Sequence, residues 1–465
     1  MSTFTLSSMA LLGLGLLPLT ANAQLLPLPP LPSQVIGTLD KTTERQTERL
    51  NALKQQGLLE QQLQQSLASK ATLLNPLTQL PNIVPVVNAL GQTVFNDVAV
   101  EQGLRAVERE WLLLLSTSQW QQLLTQAPEL ESYLSSQITL TQLQLQLIKI
   151  RVPSQLDNMA ALRLNLPELL APYLSRNYIY QTQTAEPLAH QETANPAPTD
   201  KALATTVPAA PICNQPITLG MVDTAISPHH SALTQTAQFA LLQRSFLAEG
   251  IAISYAHGTA VAGVLAGRDK QLNPLLSSLT LLNAGAFYAQ NAYQQGASLE
   301  SILQALNWLV SEGVRVVNMS LTGPDNPVLQ QVVTGLAEQG TVLIAAAGNG
   351  GPAAAPLFPA AYPQVIAVTA VDKRLELYRW ANQGDYIDFA ALGVKVLTTR
   401  ADGSIGMESG TSMATPVVTA KIACLLAAKP ELDLSQIVQQ LQQQVVDLGV
   451  PGKDPLFGHG VLVRP

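Results

Sequence analysis

Residues 341–351 read TVLIAAAGNGG, an apolar run that ends in a glycine-rich loop with one asparagine. Similar short apolar runs, each bounded by Gly, Asn or Asp and separated by helical stretches, occur at Thr218–Val222, Val314–Met319 and Val365–Val371. Apolar runs without polar alternation, separated by helices, are typical of parallel strands that are covered on both faces. From about residue 213 onward, the sequence therefore predicts an α/β domain with a doubly wound, mostly parallel sheet.

Polar residues follow these runs or begin the helices between them. Asp223 follows the first run, Asn349 lies in the loop quoted above, and His257 and Ser412 each begin a helix of small residues. Ligands of open parallel sheets bind outside the carboxyl ends of the strands. Serine hydrolysis needs a hydroxyl nucleophile, an imidazole base, a carboxylate that orients the base, and donors for the oxyanion. The four residue types fit those roles.

Each of the four residues also has a structural interpretation. Asp after a strand and Ser at a helix start are common caps, and Asn in a glycine-rich loop often adopts left-handed backbone. Together, the order Asp, His, Ser is one in which such triads occur. The combination favours the catalytic interpretation.

Three segments resemble the motifs of the subtilisin-like serine peptidases: Val222-Asp223-Thr224, His257-Gly258-Thr259-Ala260-Val261-Ala262-Gly263 and Gly410-Thr411-Ser412-Met413-Ala414-Thr415-Pro416. The resemblance covers roughly 213–465. It implies a serine endopeptidase with protein or peptide substrates. It also implies site residues: a catalytic triad of Asp223, His257 and Ser412, an oxyanion hole of Asn349 and the Ser412 N–H, and substrate-binding residues Ser320, Leu321, Thr322 and Gly323.

Three positions depart from the family pattern. Ala225 and Thr322 stand where Gly is usual, and Leu392 stands where Pro is usual. None of them belongs to the triad, but Thr322 bears on the depth of the specificity pocket.

Four further segments precede residue 213. Residues 1–23 are predicted to be a signal peptide, because an apolar run leads to an A-x-A cleavage site; an apolar N-terminus of a cytosolic protein is the alternative. Residues 24–99 are predicted to be a Gln/Leu-rich helical segment. Residues 100–183 are predicted to follow the order β-α-β-β-α-β of a ferredoxin-like domain, and the Pro-rich residues 184–212 form a linker.

The layout of 100–183 resembles the pro-domains of subtilisins. It implies a self-processing zymogen whose pro-domain acts as an intramolecular chaperone and inhibitor, with maturation sites in the linker. A permanent accessory domain is the alternative for this segment. For the whole chain, the alternative is a catalytically silent pseudoprotease that acts as a binding or assembly factor. An esterase of the G-x-S-x-G type has no matching motif.

Composition limits the other function classes. The net charge is −7, charged residues make up 12%, and Lys and Arg are nowhere clustered, which argues against a nucleic-acid partner. The predicted signal peptide implies export, so we expect a secreted or periplasmic protein. No segment after residue 23 predicts a membrane span. No cofactor is required. The resemblance allows a structural calcium ion, but the sequence assigns no residues to it.

The remaining cysteines and histidines are predicted to be structural. Cys213 and Cys424 are interpreted as free thiols, with a single bridge as the alternative. His229 and His230 are expected to support a loop, while His190 lies in the linker and His459 in a C-terminal turn. No pair of Cys and His has the spacing of a zinc site.

Overall fold

The computed structural model describes residues 80–165, 173–182, 211–291 and 294–463. The predicted signal peptide, residues 24–79 of the predicted helical segment and most of the linker lie outside these residues, as does His190.

The N-terminal part contains β1 (Ile83–Val87), β2 (Thr93–Ala99), β3 (Arg105–Leu115), α1 (Thr117–Gln126), α2 (Leu130–Tyr133), β4 (Leu134–Leu140), β5 (Leu145–Arg151), α3 (Met159–Asn165) and β6 (Leu174–Thr182). The strands β4, β5, β3 and β6 are neighbours in that order, and all their pairings are antiparallel. Residues 141–144 form the turn between β4 and β5. Trp111 and Ile148 lie in the fully buried core of this sheet.

Helical structure for the whole of 24–99 is a wrong prediction, because residues 83–99 form a β-hairpin. In β1, Val84 and Val86 face inward and their neighbours face outward, which is the alternation of a strand. β2 continues the same sheet by pairing with β3. The sheet therefore crosses residue 100, where the domain boundary was predicted.

The C-terminal part follows the predicted α/β pattern. Its elements are β7 (Cys213–Asp223), β8 (Phe239–Ser245), α4 (Ala256–Ala266), β9 (Leu276–Gly285), β10 (Tyr288–Ala289), β11 (Gln295–Ser298), α5 (Leu299–Ser311), β12 (Val316–Met319), β13 (Leu321–Thr322), α6 (Pro327–Glu338), β14 (Val342–Ala346), β15 (Val365–Val371), β16 (Phe389–Leu392), β17 (Val396–Thr399), β18 (Ile405–Glu408), α7 (Thr411–Ala428), α8 (Leu434–Gln442) and β19 (Val461–Leu462).

Eight of the described strands form a parallel sheet in the order β19-β16-β15-β14-β12-β7-β9-β8. Helices α4 and α7 pack on one face, and α5 and α6 pack on the other. The predicted parallel sheet with helices on both faces is confirmed. Helix α7 has the length and apolar composition of a membrane span, but 83% of it is buried inside the molecule.

A disulfide joins Cys213 at the start of β7 to Cys424 in α7. The interpretation of these cysteines as free thiols is therefore wrong. Their separation of 211 residues gives no local signal, because only the packing of α7 beside the sheet brings the two sulfurs together. The bridge fixes β7 to α7, the helix that begins at Thr411.

We expect the double variant Cys213→Ala/Cys424→Ala to unfold more easily than the wild type. A cross-link over so long a loop reduces the entropy of the unfolded chain, and typical losses are about 2–4 kcal/mol. Chemical denaturation measures the difference. As a control, reductant should lower the midpoint of the wild type and leave the double variant unchanged; equal midpoints for both chains without reductant would contradict a stabilising bridge.

Candidate active site

Asp223 lies at the carboxyl end of β7 and is 1% exposed. Its carboxylate accepts a hydrogen bond from the Thr224 N–H at 2.7 Å. His257 Nδ1 lies 2.8 Å from one carboxylate oxygen and 2.9 Å from the other. A buried carboxylate needs such donors to offset the loss of solvent. The structure thus brings together two residues that are 34 positions apart in the sequence.

His257 is held at the start of α4 by the turn that follows Asp223. The Gly258 N–H donates to Thr224 Oγ1 at 2.8 Å. A Cβ on Gly258 would lie 2.4 Å from the Thr224 carbonyl oxygen, so only glycine allows this close approach. His257 Nε2 is buried and makes no hydrogen bond with any residue in the described ranges. With Nδ1–H donated to Asp223, Nε2 is the atom that can accept a proton.

Ser412 is the second residue of α7, which begins after Gly410 in a positive-φ conformation (φ 143°). Its Oγ donates to the Ser320 carbonyl oxygen at 3.3 Å. The serine hydroxyl therefore points at the strand that the sequence predicts to bind substrate.

The position of Pro416 in α7 explains a second contact between Ser412 and Ser320. Proline has no N–H, so residue 416 cannot donate the usual intrahelical hydrogen bond to the carbonyl of residue 412. The Ser412 carbonyl instead accepts from Ser320 Oγ at 3.1 Å. Ser320 Oγ in turn accepts from Asn318 Nδ2, and Asn318 Oδ1 accepts from Thr419 Oγ1. This buried chain fixes α7 relative to the end of β12.

Asn349 has a fixed amide orientation. Its Oδ1 accepts hydrogen bonds from both the N–H and the Oγ1 of Thr411, each at 3.0 Å. With the oxygen held on Thr411, the amide NH₂ is directed away from that residue. Asn349 and Ser412 thus meet at the N-terminus of α7, where backbone N–H groups favour negative charge.

The predicted substrate strand is already paired with a peptide segment of this chain. The last residues of β6 pair with β13, Thr182 opposite Leu321 and Gln181 opposite Thr322. They also pair with β11, where Gln181 lies opposite Gly296. The end of the N-terminal part is therefore a strand between two strands of the C-terminal part.

Two side chains of this inserted strand fit closely into the surface around it. Tyr180 is fully buried, and its hydroxyl donates to the Pro324 carbonyl at 2.9 Å. Its ring occupies the space where any side chain at Gly323 would project. Burial raises the pKa of Tyr180 well above its usual value, which keeps the hydroxyl a donor. Thr182 Oγ1 donates to Gln295 Oε1 at 2.6 Å.

We call the groove between β11 and β13, which β6 occupies, the cleft. The sequence did not identify Gln295 or the rest of β11 as part of this cleft. The only local signal there is Ser298, which caps α5 and marks the start of that helix. Nothing in the segment distinguishes a cleft wall from an ordinary loop before a helix.

His230 and His459, which the sequence predicts to be structural, lie outside the cleft. His230 supports its loop, as predicted, because Nδ1 accepts from the Ala232 N–H and Nε2 contacts the Ser404 carbonyl. His459 contacts Gln442 in the C-terminal turn. Within the part of the chain that the structure describes, no group of three or more His, Cys, Asp or Glu residues could hold a metal ion.

Residues 214–460 match the family model described as the subtilase family of S8 peptidases. The chain is 31% identical over 249 residues to the minor extracellular protease Epr of Bacillus subtilis, covering 53% of this chain and 37% of Epr. It is 31% identical over 238 residues to subtilisin DY of Bacillus licheniformis, covering 50% of this chain and 85% of that protein. A crystal structure of a lanthipeptide protease aligns with a TM-score of 0.45 at 21% identity, covering 53% of this chain and 85% of that one.

We expect Ser320→Ala to destabilise the protein by about 1–3 kcal/mol, because it removes a buried donor to the Ser412 carbonyl and the acceptor of Asn318 Nδ2. Pro416→Ala restores an N–H inside α7 and should recover part of that loss in the double variant. Denaturant unfolding of the four chains measures the coupling. If the two substitutions had strictly additive effects on the free energy of unfolding, Ser320 Oγ would not replace the missing N–H of residue 416 as the donor to the Ser412 carbonyl.

Proposed function

The chain belongs to the subtilase family, and from this membership we propose that residues 213–463 form a serine endopeptidase. In this proposal Ser412 is the nucleophile, His257 the general base and Asp223 the residue that orients the base. The observation that carries it is the buried contact between His257 and Asp223, with His257 on α4, which packs beside α7, the helix whose second residue is Ser412.

The proposed reaction follows from these positions. Ser412 Oγ adds to the peptide carbonyl while His257 Nε2 takes its proton, and Asp223 stabilises the resulting imidazolium. The Asn349 NH₂ and the Ser412 N–H donate to the oxyanion. The intermediate then expels the amine, which receives the proton from His257, and leaves an acyl-enzyme. Water, activated by the same histidine, releases the acid.

The pairing of β6 supports the substrate class. A peptide bound like residues 179–182 is recognised mainly through its backbone by β11 and β13, which suits polypeptides of varied sequence. Side-chain selection would come from the space filled by Tyr180 and from the Gln295 amide. Ser320, Leu321, Thr322 and Gly323 then form one wall of the substrate cleft.

We propose that the N-terminal part is a ferredoxin-like pro-domain, including residues 100–183 and the preceding hairpin. Its order of elements and its antiparallel neighbours β4, β5, β3 and β6 fit that fold. The position of its last strand between β11 and β13 makes it an inhibitor, because a substrate needs the same edges.

Contacts at two helix starts support a chaperone role for this pro-domain. The Glu300 N–H in the first turn of α5 donates to Asn177 Oδ1 at 3.0 Å, and the Glu300 carboxylate pairs with Lys149 at 2.7 Å. At the start of α6, Asn326 Nδ2 donates to Ser175 Oγ. In these contacts the pro-domain supplies hydrogen-bond partners for polar groups at the starts of α5 and α6. Without the pro-domain, the C-terminal part would have to find other partners for these groups while it folds.

The last part of the proposal is that the protein is exported. The A-x-A site at residues 21–23 indicates a signal peptide, and the relative Epr is by its name an extracellular protease. A disulfide between Cys213 and Cys424 also suits an oxidising compartment. We therefore propose a secreted or periplasmic zymogen.

Asn349→Asp tests the proposed oxyanion donor. Aspartate keeps the oxygen that accepts from Thr411 but replaces the NH₂ by a second oxygen. We expect kcat for peptide hydrolysis to fall by about 10²–10³ with little change in KM, and Asn349→Ala to behave alike. Thr411→Ser, which keeps the hydroxyl, is the control. Near-normal kcat in both Asn349 variants would refute this role.

Ser412→Ala tests self-processing. The full-length variant should remain a single chain, whereas the wild type should release a catalytic fragment. We expect the first cut within two residues C-terminal to Thr182, because Thr182 lies opposite Leu321, the residue after Ser320. Intact mass and N-terminal sequencing measure both outcomes. Maturation of the pure Ser412→Ala chain would refute self-processing, and a wild-type product that retains residues 80–182 would indicate an accessory domain.

A further inference from the structure

The β1–β2 hairpin, residues 83–99, lies outside the β-α-β-β-α-β unit but contacts the catalytic part of the chain. Its tight turn is closed by Asn88, whose Oδ1 accepts from the N–H groups of Leu90 and Gln92. The hairpin joins the N-terminal sheet through β3. The hairpin and β6 therefore belong to the same N-terminal fragment, by which we mean the part of the chain that precedes the linker. We call β6 the tail strand of this fragment.

The turn of the hairpin meets the loop that follows β8. The Ala89 N–H donates to the Gly250 carbonyl at 3.0 Å, and Asn88 forms an antiparallel bridge with Ile251. Gly250 has φ of +81°, and a Cβ there would lie only 3.0 Å from the Asn88 Cβ. The contact thus includes backbone hydrogen bonding and a close approach that glycine permits.

The inner face of the hairpin is apolar and is covered by the catalytic part. Val86, Ile251 and Tyr288 form one buried cluster, and they are 5%, 8% and 2% exposed. Phe95 packs edge-on against Tyr288 with ring centroids 5.5 Å apart. On the outer face, Val87 is 43% exposed. The two faces of one strand therefore have different environments.

A buried carboxylate lies beside this cluster. Asp97 is 0% exposed and pairs with Arg105 of its own fragment at 2.6 Å. Its other oxygen accepts from Gln290 Nε2 at 2.6 Å and from the Tyr288 hydroxyl at 3.2 Å. Burial, followed by the nearby Asp97 carboxylate, raises the pKa of Tyr288 well above its usual value, so the hydroxyl remains a donor. The catalytic part thus supplies two of the donors that a buried charge requires.

Gln290 connects this contact to the cleft. Its Oε1 lies 3.5 Å from Nε2 of Gln181, a residue of the tail strand. The backbone path β2-β3-β6-β11-β10 and the side-chain contact of Asp97 with β10 therefore form a continuous set of interactions that includes β6. The hairpin contacts named above all join residues outside the linker, so a cut in the linker leaves these contacts in place.

We propose that the surface formed by Gly250, Ile251, Tyr288 and Gln290 is a second docking site, outside the cleft, for the hairpin of the severed N-terminal fragment. The inference rests on the proposed zymogen. The hairpin prolongs the residence of the fragment after the cut, so cleavage alone does not open the cleft.

The test uses the full chain with Ser412→Ala and a recognition sequence for an added site-specific protease within residues 184–210. After cutting by that protease, the dissociation rate of the two fragments is measured by dilution and size-exclusion chromatography. We expect Val86→Ala to raise this rate about tenfold or more, and Asp97→Asn to raise it about 10- to 100-fold. Val87→Ala, the same substitution on the outer face, should change it less than twofold.

Ile251→Ala tests the catalytic side of the same contact. It should also accelerate dissociation, and its effect should be largely lost when Val86 is already Ala, because the two side chains share one cluster. Equal rates for Val86→Ala, Val87→Ala and the parent chain would overturn the proposal, as would full additivity of the Val86 and Ile251 substitutions. The added protease makes the cut, so the result does not depend on whether this chain cleaves itself.

Discussion

The buried contact between Asp223 and His257 is the constraint around which the catalytic part is arranged. A carboxylate that is 1% exposed must keep its donors, and here they come from the Thr224 N–H and the imidazole. Thr224 also accepts from the Gly258 N–H, which holds α4 against the end of β7. The position of His257, the proposed base, is therefore set by the turn that follows Asp223. Any side chain at residue 258 would force the helix away from that turn.

Ser412, the proposed nucleophile, is fixed by a different set of contacts. Pro416 removes an intrahelical donor, and Ser320 takes its place on the Ser412 carbonyl. The helix that carries the hydroxyl is thus linked to the strand that contacts the peptide. Asn318 and Thr419 extend this link between β12 and α7. In the proposed enzyme, Ser320 therefore both contacts Ser412 and borders the substrate cleft, so that peptide binding and the position of the hydroxyl are coupled.

The N-terminal part contacts the catalytic part at several separate places. One is the pairing of β6 in the cleft, another is the start of α5 at Glu300, and a third is the hairpin at Tyr288. The first occupies the site where substrate is proposed to bind, whereas the other two leave the catalytic side chains untouched. In the proposed zymogen, contacts at several places allow the N-terminal fragment both to guide folding and to block the cleft. They also allow the fragment to stay bound to the C-terminal part after the linker is cut.

The sequence by itself determined the parallel sheet, because several of its strands contain continuous apolar runs such as Val342–Ala346. It also indicated the subtilase motifs through short segments such as Gly410–Pro416. It did not reveal the hairpin at 83–99, since a few β-branched residues become a strand only when β3 offers a partner. The bridge between Cys213 and Cys424, the cleft wall at Gln295 and the burial of Asp97 were likewise decided by tertiary structure. Each depends on groups that are distant in the chain, and a local pattern carries no record of which distant group will be packed against it.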